Sequence, residues 1–232
     1  MKNSIINLLS INLLSKYNIK IYKAQIYKAQ IYIMEIFENV DSKKYYNKFK
    51  LLEDSYEQIV NEIPLFDINK VTISRKMNEW INKDNIEAGQ ILLSKLNNNK
   101  DWIFSWDVNN KMFNFPLMYN DIVIGIADIL CPTTINLLKK IGNIRIAGFS
   151  LLLPGASLNP HCDGTGPTYN SMALNMCLTG DKSSLYIRNK DNIYEKYIHT
   201  NGKLVIFNSE IEHYANNNGD INRVILYIDF AL

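Results

Sequence analysis

The sequence predicts a mainly β domain behind a helical layer, and three observations predict it. After Gly142 the chain falls into short runs rich in β-branched and aromatic residues. Turn-forming residues separate these runs at even spacing. Before Gly142 the apolar residues recur instead at helical intervals.

The helical layer begins at Asp41. Tyr45, Phe49, Leu52, Tyr56, Ile59 and Ile63 follow at steps of three and four, one face of an amphipathic helix that Pro64 stops. Residues 74–96 read as further helix, broken near Gly89, with a turn over 97–99. A third helix is predicted over Thr133–Lys140: Pro132 opens it, Lys139 and Lys140 suit its C-terminal dipole, and Gly142 ends it.

Seven β-type runs follow, at 146–153, 171–179, 184–188, 193–198, 203–207, 211–216 and 223–230. A shorter one around Leu158–Asp163 makes eight. Even spacing of this kind signals a sandwich or a jelly-roll barrel.

Residues 1–33 hold a polar-apolar mix and the doubled pentapeptide IYKAQIYKAQ (21–30). They are expected to be a low-complexity extension, with 34–232 a single domain: 34–142 largely helical support, 143–232 the β core. The apolar stretch near the start is too short and polar for a membrane span and lacks a signal-type cleavage site. A net charge of +2 gives no reason to expect nucleic acid. Three cysteines fit no disulfide framework, which points to a reducing, intracellular soluble setting.

The chemistry concentrates in LNPHCDGTG. On a strand, residues two apart share a face, so His161 and Asp163 present an imidazole and a carboxylate to one side while Cys162 points away. His213 lies in a later β-run. Two His and one carboxylate form the facial triad of non-haem iron oxygenases, which leaves three coordination positions open, two for the oxygens of a keto acid and one for dioxygen. Arg223 opens the last run, where a guanidinium fork suits a carboxylate. Each member also has a bland reading. His161-x-Asp163 arises by chance in many chains, His213 suits a strand end, and Arg223 is within reach of Asp229 or Asp220. His199 has no neighbouring ligand set and reads as a surface residue of a turn.

Residues 131–168, CPTTINLLKKIGNIRIAGFSLLLPGASLNPHCDGTGPT, and 202–230, GKLVIFNSEIEHYANNNGDINRVILYIDF, resemble the aspartyl/asparaginyl β-hydroxylase family. The shared marks are the Cys-Pro-x-Thr helix start, the Phe-Ser strand, the Pro-Gly turn before the first His, the Gly-Lys strand start, Glu-His, and an Arg ten residues on. The resemblance covers about Asp101 to the C-terminus. It implies a double-stranded β-helix of cupin-like form, Fe(II) as metal and 2-oxoglutarate as co-substrate. It also implies molecular oxygen as reactant and a hydroxylated C–H bond as product. His161, Asp163 and His213 would hold the iron; Arg223 would bind the far carboxylate of the co-substrate, and Ser150 would line its pocket. Peptide-hydroxylating members carry an Arg and a His where this chain has Ala173 and Asn175, of which only Asn175 retains a hydrogen-bonding group. The expected substrate is an Asp or Asn side chain of a peptide or protein. The alternatives are a lipid, a small molecule, or a cupin-like barrel that binds metal without catalysis. Trp102 and Trp106, and Tyr169 and Asn170, are weaker candidates for lining the pocket or touching substrate.

Overall fold

The amphipathic stretch after Asp41 folds as two helices, α1 (Ser42–Asp54) and α2 (Tyr56–Asn61). The backbone leaves helical geometry at Ser55 (φ −109°, ψ 15°), so the apolar face continues around a corner. Phe49, Leu52 and Ile59 are buried completely. The structure is a computed structural model and describes residues 42–72, 94–105, 111–163 and 171–231. The helix expected over 74–96 lies outside them, apart from residues 94–96, and so does the boundary expected after residue 33.

A short helix α3 (Ala127–Leu130) leads into α4 (Pro132–Ile141), which ends at Gly142 with φ +63°. The N-cap position of α4 is Cys131, whose side chain makes no capping bond. Glu62 supplies the cap from beyond α2. Its carboxylate accepts from the Thr133 and Thr134 amides at 2.7 and 2.8 Å and from Thr134 Oγ1 at 2.7 Å. A carboxylate there satisfies orphan amides and complements the helix dipole.

Residues 34–142, expected to be largely helical, also supply three strands: β1 (Ile103–Phe104), β2 (Met112–Tyr119) and β3 (Ile122–Val123). Pro116 hid β2 from a pattern reading, because proline argues against an interior strand. Here the register of β2 against its neighbour shifts between Pro116 and Met118, a bulge that accommodates the missing donor. Gly148 sits opposite; a Cβ there would lie 2.8 Å from the Phe115 carbonyl oxygen.

The remaining strands are β4 (Ile144–Leu152), β5 (Ser171–Thr179), β6 (Ser183–Arg188), β7 (Tyr194–Ile198), β8 (Leu204–Asn208), β9 (His213–Asn217) and β10 (Arg223–Ala231). Every pairing is antiparallel. One sheet runs β1-β2-β4-β10-β5-β8, with β3 on β2, and a smaller one runs β7-β6-β9. The run around 158–163 forms no strand; Ser157 and His161 make isolated bridges to Asn216 and His213. Pro160, with no amide to donate, prevents a longer ladder. The result is a jelly-roll barrel of cupin-like form, as the resemblance implied.

The alternation along β10 divides the molecule. Val224, Leu226, Ile228 and Phe230 face the helices, where Phe230 meets Phe49 at 4.7 Å between centroids. Arg223, Ile225, Tyr227 and Asp229 take the opposite face, toward the smaller sheet. Partners in register share that face: Ser150 opposite Ile225, Asn175 opposite Tyr227, Ala173 opposite Asp229. Trp102 belongs to the helical side. It is buried, its Nε1 donates to the Pro64 carbonyl at 3.0 Å, and it packs edge-on to Phe66 and Phe115. It is therefore core, and Trp106 lies outside the described residues. Among the described residues no helix is long and apolar enough to cross a membrane.

Candidate metal centre

His161 and His213 are brought together by a two-bond backbone bridge. The His161 amide donates to the His213 carbonyl at 3.0 Å, and the His213 amide returns a bond at 2.9 Å. Their rings lie 4.4 Å apart between centroids. The Asp163 amide bonds the Ser209 carbonyl at 2.8 Å, which swings its carboxylate toward both rings. Asp163 Oδ1 is 3.8 Å from His161 Nε2, and Oδ2 is 3.6 Å from His213 Nε2. All three residues offer ligand atoms within 4.8 Å of one another.

Backbone carbonyls set the orientation of both imidazoles. His161 Nδ1 lies 2.7 Å from the Asn159 oxygen, and His213 Nδ1 lies 2.8 Å from the Ile211 oxygen. A carbonyl only accepts, so each Nδ1 carries the proton and each Nε2 keeps its lone pair for a metal. Burial, and then the neighbouring His213, lower the pKa of His161. Burial would raise the Asp163 carboxyl. Contact with His213 foremost, then His161 and the Tyr227 hydroxyl, outweighs it and holds the group below the usual carboxylate range. A neutral imidazole and an ionised carboxylate are the forms that bind a metal. Phe207 packs edge-on to His213 at 4.9 Å, closing the apolar side.

Sequence reasoning did not single out Tyr227. Its hydroxyl donates to Asp163 Oδ2 at 2.9 Å, which positions the carboxylate from behind. The signal was present, since Tyr227 stands on the same face of β10 as Arg223.

Below the cluster, the described residues hold four buried side-chain polar atoms with no hydrogen-bond partner: Ser150 Oγ, Asn175 Oδ1, His199 Nε2 and Arg223 Nε. Three of these residues were expected at the site. They lie on the inward face of three adjacent strands, with Asn175 level with Tyr227, Ser150 two residues further and Arg223 beyond it. Burial pushes the pKa of Arg223 down to about 10. The pairings first considered for Arg223 are taken by others: Asp229 binds Arg145 Nε at 3.0 Å, and Asp220 faces Lys182 at 3.8 Å. The thiol of Cys177 near Arg223 is pushed by burial up to about 11, so it is no counter-ion at neutral pH.

His199 is not the surface residue expected. Only 1% of it is exposed, and its Nδ1 lies 2.9 Å from Ser183 Oγ. The last turn of the smaller sheet folds inward there, because the His199 amide bonds the Ser183 carbonyl at 3.0 Å. Tyr169 and Asn170 fall outside the described residues. Ala173 is buried completely, and the residue opposite it, Asp229, is engaged by Arg145.

A stretch of the chain is 34% identical over 134 residues to an uncharacterized protein of Acanthamoeba polyphaga mimivirus, covering 56% of this chain and 46% of that one. A stretch of 105 residues is 32% identical to the ornithine lipid ester-linked acyl 2-hydroxylase of Rhizobium tropici, covering 44% of this chain and 34% of that enzyme. The chain thus matches less than half the length of either relative. An oxalate oxidase in complex with glycolate aligns over 54% of this chain and 53% of its own at 13% identity and a TM-score of 0.37, too slight a likeness to carry an argument. The family model described as aspartyl/asparaginyl beta-hydroxylase matches residues 78–231, well over half of the sequence. That match contains the bridged histidines, the carboxylate between them and the buried guanidinium, and the chain belongs to the aspartyl/asparaginyl β-hydroxylase family.

Proposed function

We propose that the protein is an Fe(II)- and 2-oxoglutarate-dependent dioxygenase that hydroxylates a C–H bond. One observation carries the reading: the row of unpartnered buried polar groups, Asn175, Ser150 and Arg223, that leads away from His161, Asp163 and His213. Buried polar atoms are nearly always paired, and a buried guanidinium without a carboxylate is costlier still. A short dicarboxylate reaching from the metal cluster toward Arg223 satisfies them together. At a rise of about 3.3 Å per residue, Arg223 and Tyr227 stand about 13 Å apart along β10, which leaves room for it once the arginine side chain reaches inward.

The roles of the residues follow. His161 and His213 present Nε2 to the iron, with Asp163 as the anionic ligand. Tyr227 holds the Asp163 carboxylate in place. Arg223 receives the far carboxylate through a fork of parallel donors, and Ser150 adds a hydroxyl. The Asn175 amide, whose two ends interchange by a flip, turns a donor into the same space. Phe207, Ile225 and Leu152 line apolar walls that keep water from the reacting centre. Once bound, iron and 2-oxoglutarate supply the oxidising power to turn a C–H bond and dioxygen into C–OH, with succinate and carbon dioxide as co-products.

The family's name supports an Asp or Asn side chain of a peptide as substrate. The Rhizobium relative supports a second reading, a lipid acyl chain, and so does Ala173 in place of an arginine. Succinate release under air, with Fe(II), 2-oxoglutarate and ascorbate, tests the reaction. Stimulation by Asp- or Asn-containing peptides or by acylated lipids assigns the substrate. Stoichiometric iron binding without 2-oxoglutarate binding would favour the non-catalytic barrel and sink the proposal.

A further inference from the structure

Three of the four unpartnered buried polar atoms are accounted for by the reading above; the fourth, Nε2 of His199, is not. We infer that His199 is a second binding residue for the carboxylate that Arg223 receives, donating from Nε2 into the closed end of the pocket. The inference rests on the co-substrate reading proposed above.

Topology brings this residue to the pocket. Along β9 the inward positions are His213, Ala215 and Asn217, and Ala215 packs against Met112 and Leu152 of the main sheet. Ser183 is the register partner of Asn217, so it takes the inward face as well. His199 is bound to Ser183 twice, through its amide and through Nδ1. The loop that follows crosses to the main sheet, where the Gly202 amide donates to the Cys177 carbonyl at 2.8 Å. Cys177 stands opposite Ile225, the inward neighbour of Arg223. His199 and Arg223 are thus delivered to the same end of the barrel from facing sheets.

The chemistry agrees with the placement. Burial, followed by the positive charge of Arg223, holds the His199 pKa well below its ordinary value, so the ring is neutral. A neutral imidazole has one N–H. In the tautomer that accepts the Ser183 hydroxyl at Nδ1, the proton sits on Nε2, the atom without a partner. A neutral donor adds no second net charge beside the buried cation and is favourable to an anion that the cation binds. Packing and the Ser183 contact account for the ring and for Nδ1 but leave Nε2 without a partner.

The test is anaerobic calorimetric titration of the Fe(II)-loaded protein with 2-oxoglutarate and, separately, with pyruvate, which lacks the far carboxylate. The proteins are the wild type, His199→Phe and His199→Gln. Loss of a hydrogen bond to a charged group predicts that His199→Phe weakens 2-oxoglutarate by about ten- to a hundredfold and leaves pyruvate unchanged. His199→Gln, which keeps a donor, is expected to recover most of the affinity. Equal weakening of both ligands, or unchanged 2-oxoglutarate affinity in His199→Phe, overturns the inference while leaving the co-substrate reading intact. If His199→Phe does not fold, a His199→Gln variant with altered pyruvate affinity overturns it equally. A wild type that does not bind 2-oxoglutarate overturns the co-substrate reading, and this inference falls with it.

Discussion

Tyr227 Oη lies 2.9 Å from Asp163 Oδ2, so the central strand of the main sheet holds the one carboxylate of the candidate metal centre from behind. Residues that orient a metal ligand without touching the metal typically control affinity by about 10- to 100-fold. Tyr227→Phe is therefore expected to weaken Fe(II) by that factor while the fold stays intact. Competition for Fe(II) against a chelator measures it, and an unchanged affinity would remove Tyr227 from this role.

His161→Ala and His213→Ala each remove a proposed ligand that the backbone bridge places beside the other. Both are expected to lose iron at micromolar concentrations and all 2-oxoglutarate turnover. Turnover surviving in both variants would end the triad assignment.

Arg223 separates stability from function. A buried guanidinium with no carboxylate partner among the described residues destabilises the fold. Arg223→Met is expected to leave stability unchanged or raise it by about 0.5–2 kcal/mol, the usual trade at a functional site, while 2-oxoglutarate affinity falls by more than about tenfold. Denaturant unfolding and ligand titration on the same sample decide the matter. A large loss of stability would mean that the guanidinium is structural.

Gly180 lies directly beneath that arginine. Its φ is +87°, and a Cβ on it would stand 2.7 Å from Arg223 Cα. Gly180→Ala must strain the turn or push the start of β10. It is expected to destabilise the protein by at least about 1 kcal/mol and to raise the 2-oxoglutarate concentration needed for half-maximal turnover, with iron affinity little altered.

Glu62 gives the fold an acid-sensitive joint. Burial alone would raise its carboxyl, but the donors of Thr134 and Thr133 at the start of α4 outweigh this and hold it below its ordinary 4.5. The folded state then binds the proton less tightly than the unfolded chain, so the contribution to stability is full above that value and lost as pH falls below it. Glu62→Gln is expected to cost about 1–2 kcal/mol at pH 7 and much less near pH 3. Unfolding free energies at the two pH values check this, and an equal loss at both would contradict it.

The β core was legible because its strands are short runs rich in β-branched and aromatic residues, punctuated by turn residues. β5 occupies 171–179 as the run predicted, and α4 begins at Pro132 and ends at Gly142. β2 was missed because Pro116 argues against an interior strand, and only a bulge formed with a neighbouring strand admits it. The break at Ser55 was missed because the apolar period runs through it unchanged.

At the site, order and residue type along the chain pointed to His161, Asp163, His213 and Arg223, since ligand chemistry restricts which side chains serve, and the family resemblance added Ser150 and Asn175. His199 and Tyr227 carried no such mark. A histidine after a strand reads as exposed, and a tyrosine in an apolar strand reads as core. What the sequence by itself determined is the set of elements and the kinds of atom available, because local periodicity and donor chemistry are properties of neighbouring residues. What only the tertiary structure decided is which polar groups are left without partners, because burial and pairing depend on strands distant in the chain closing over one another.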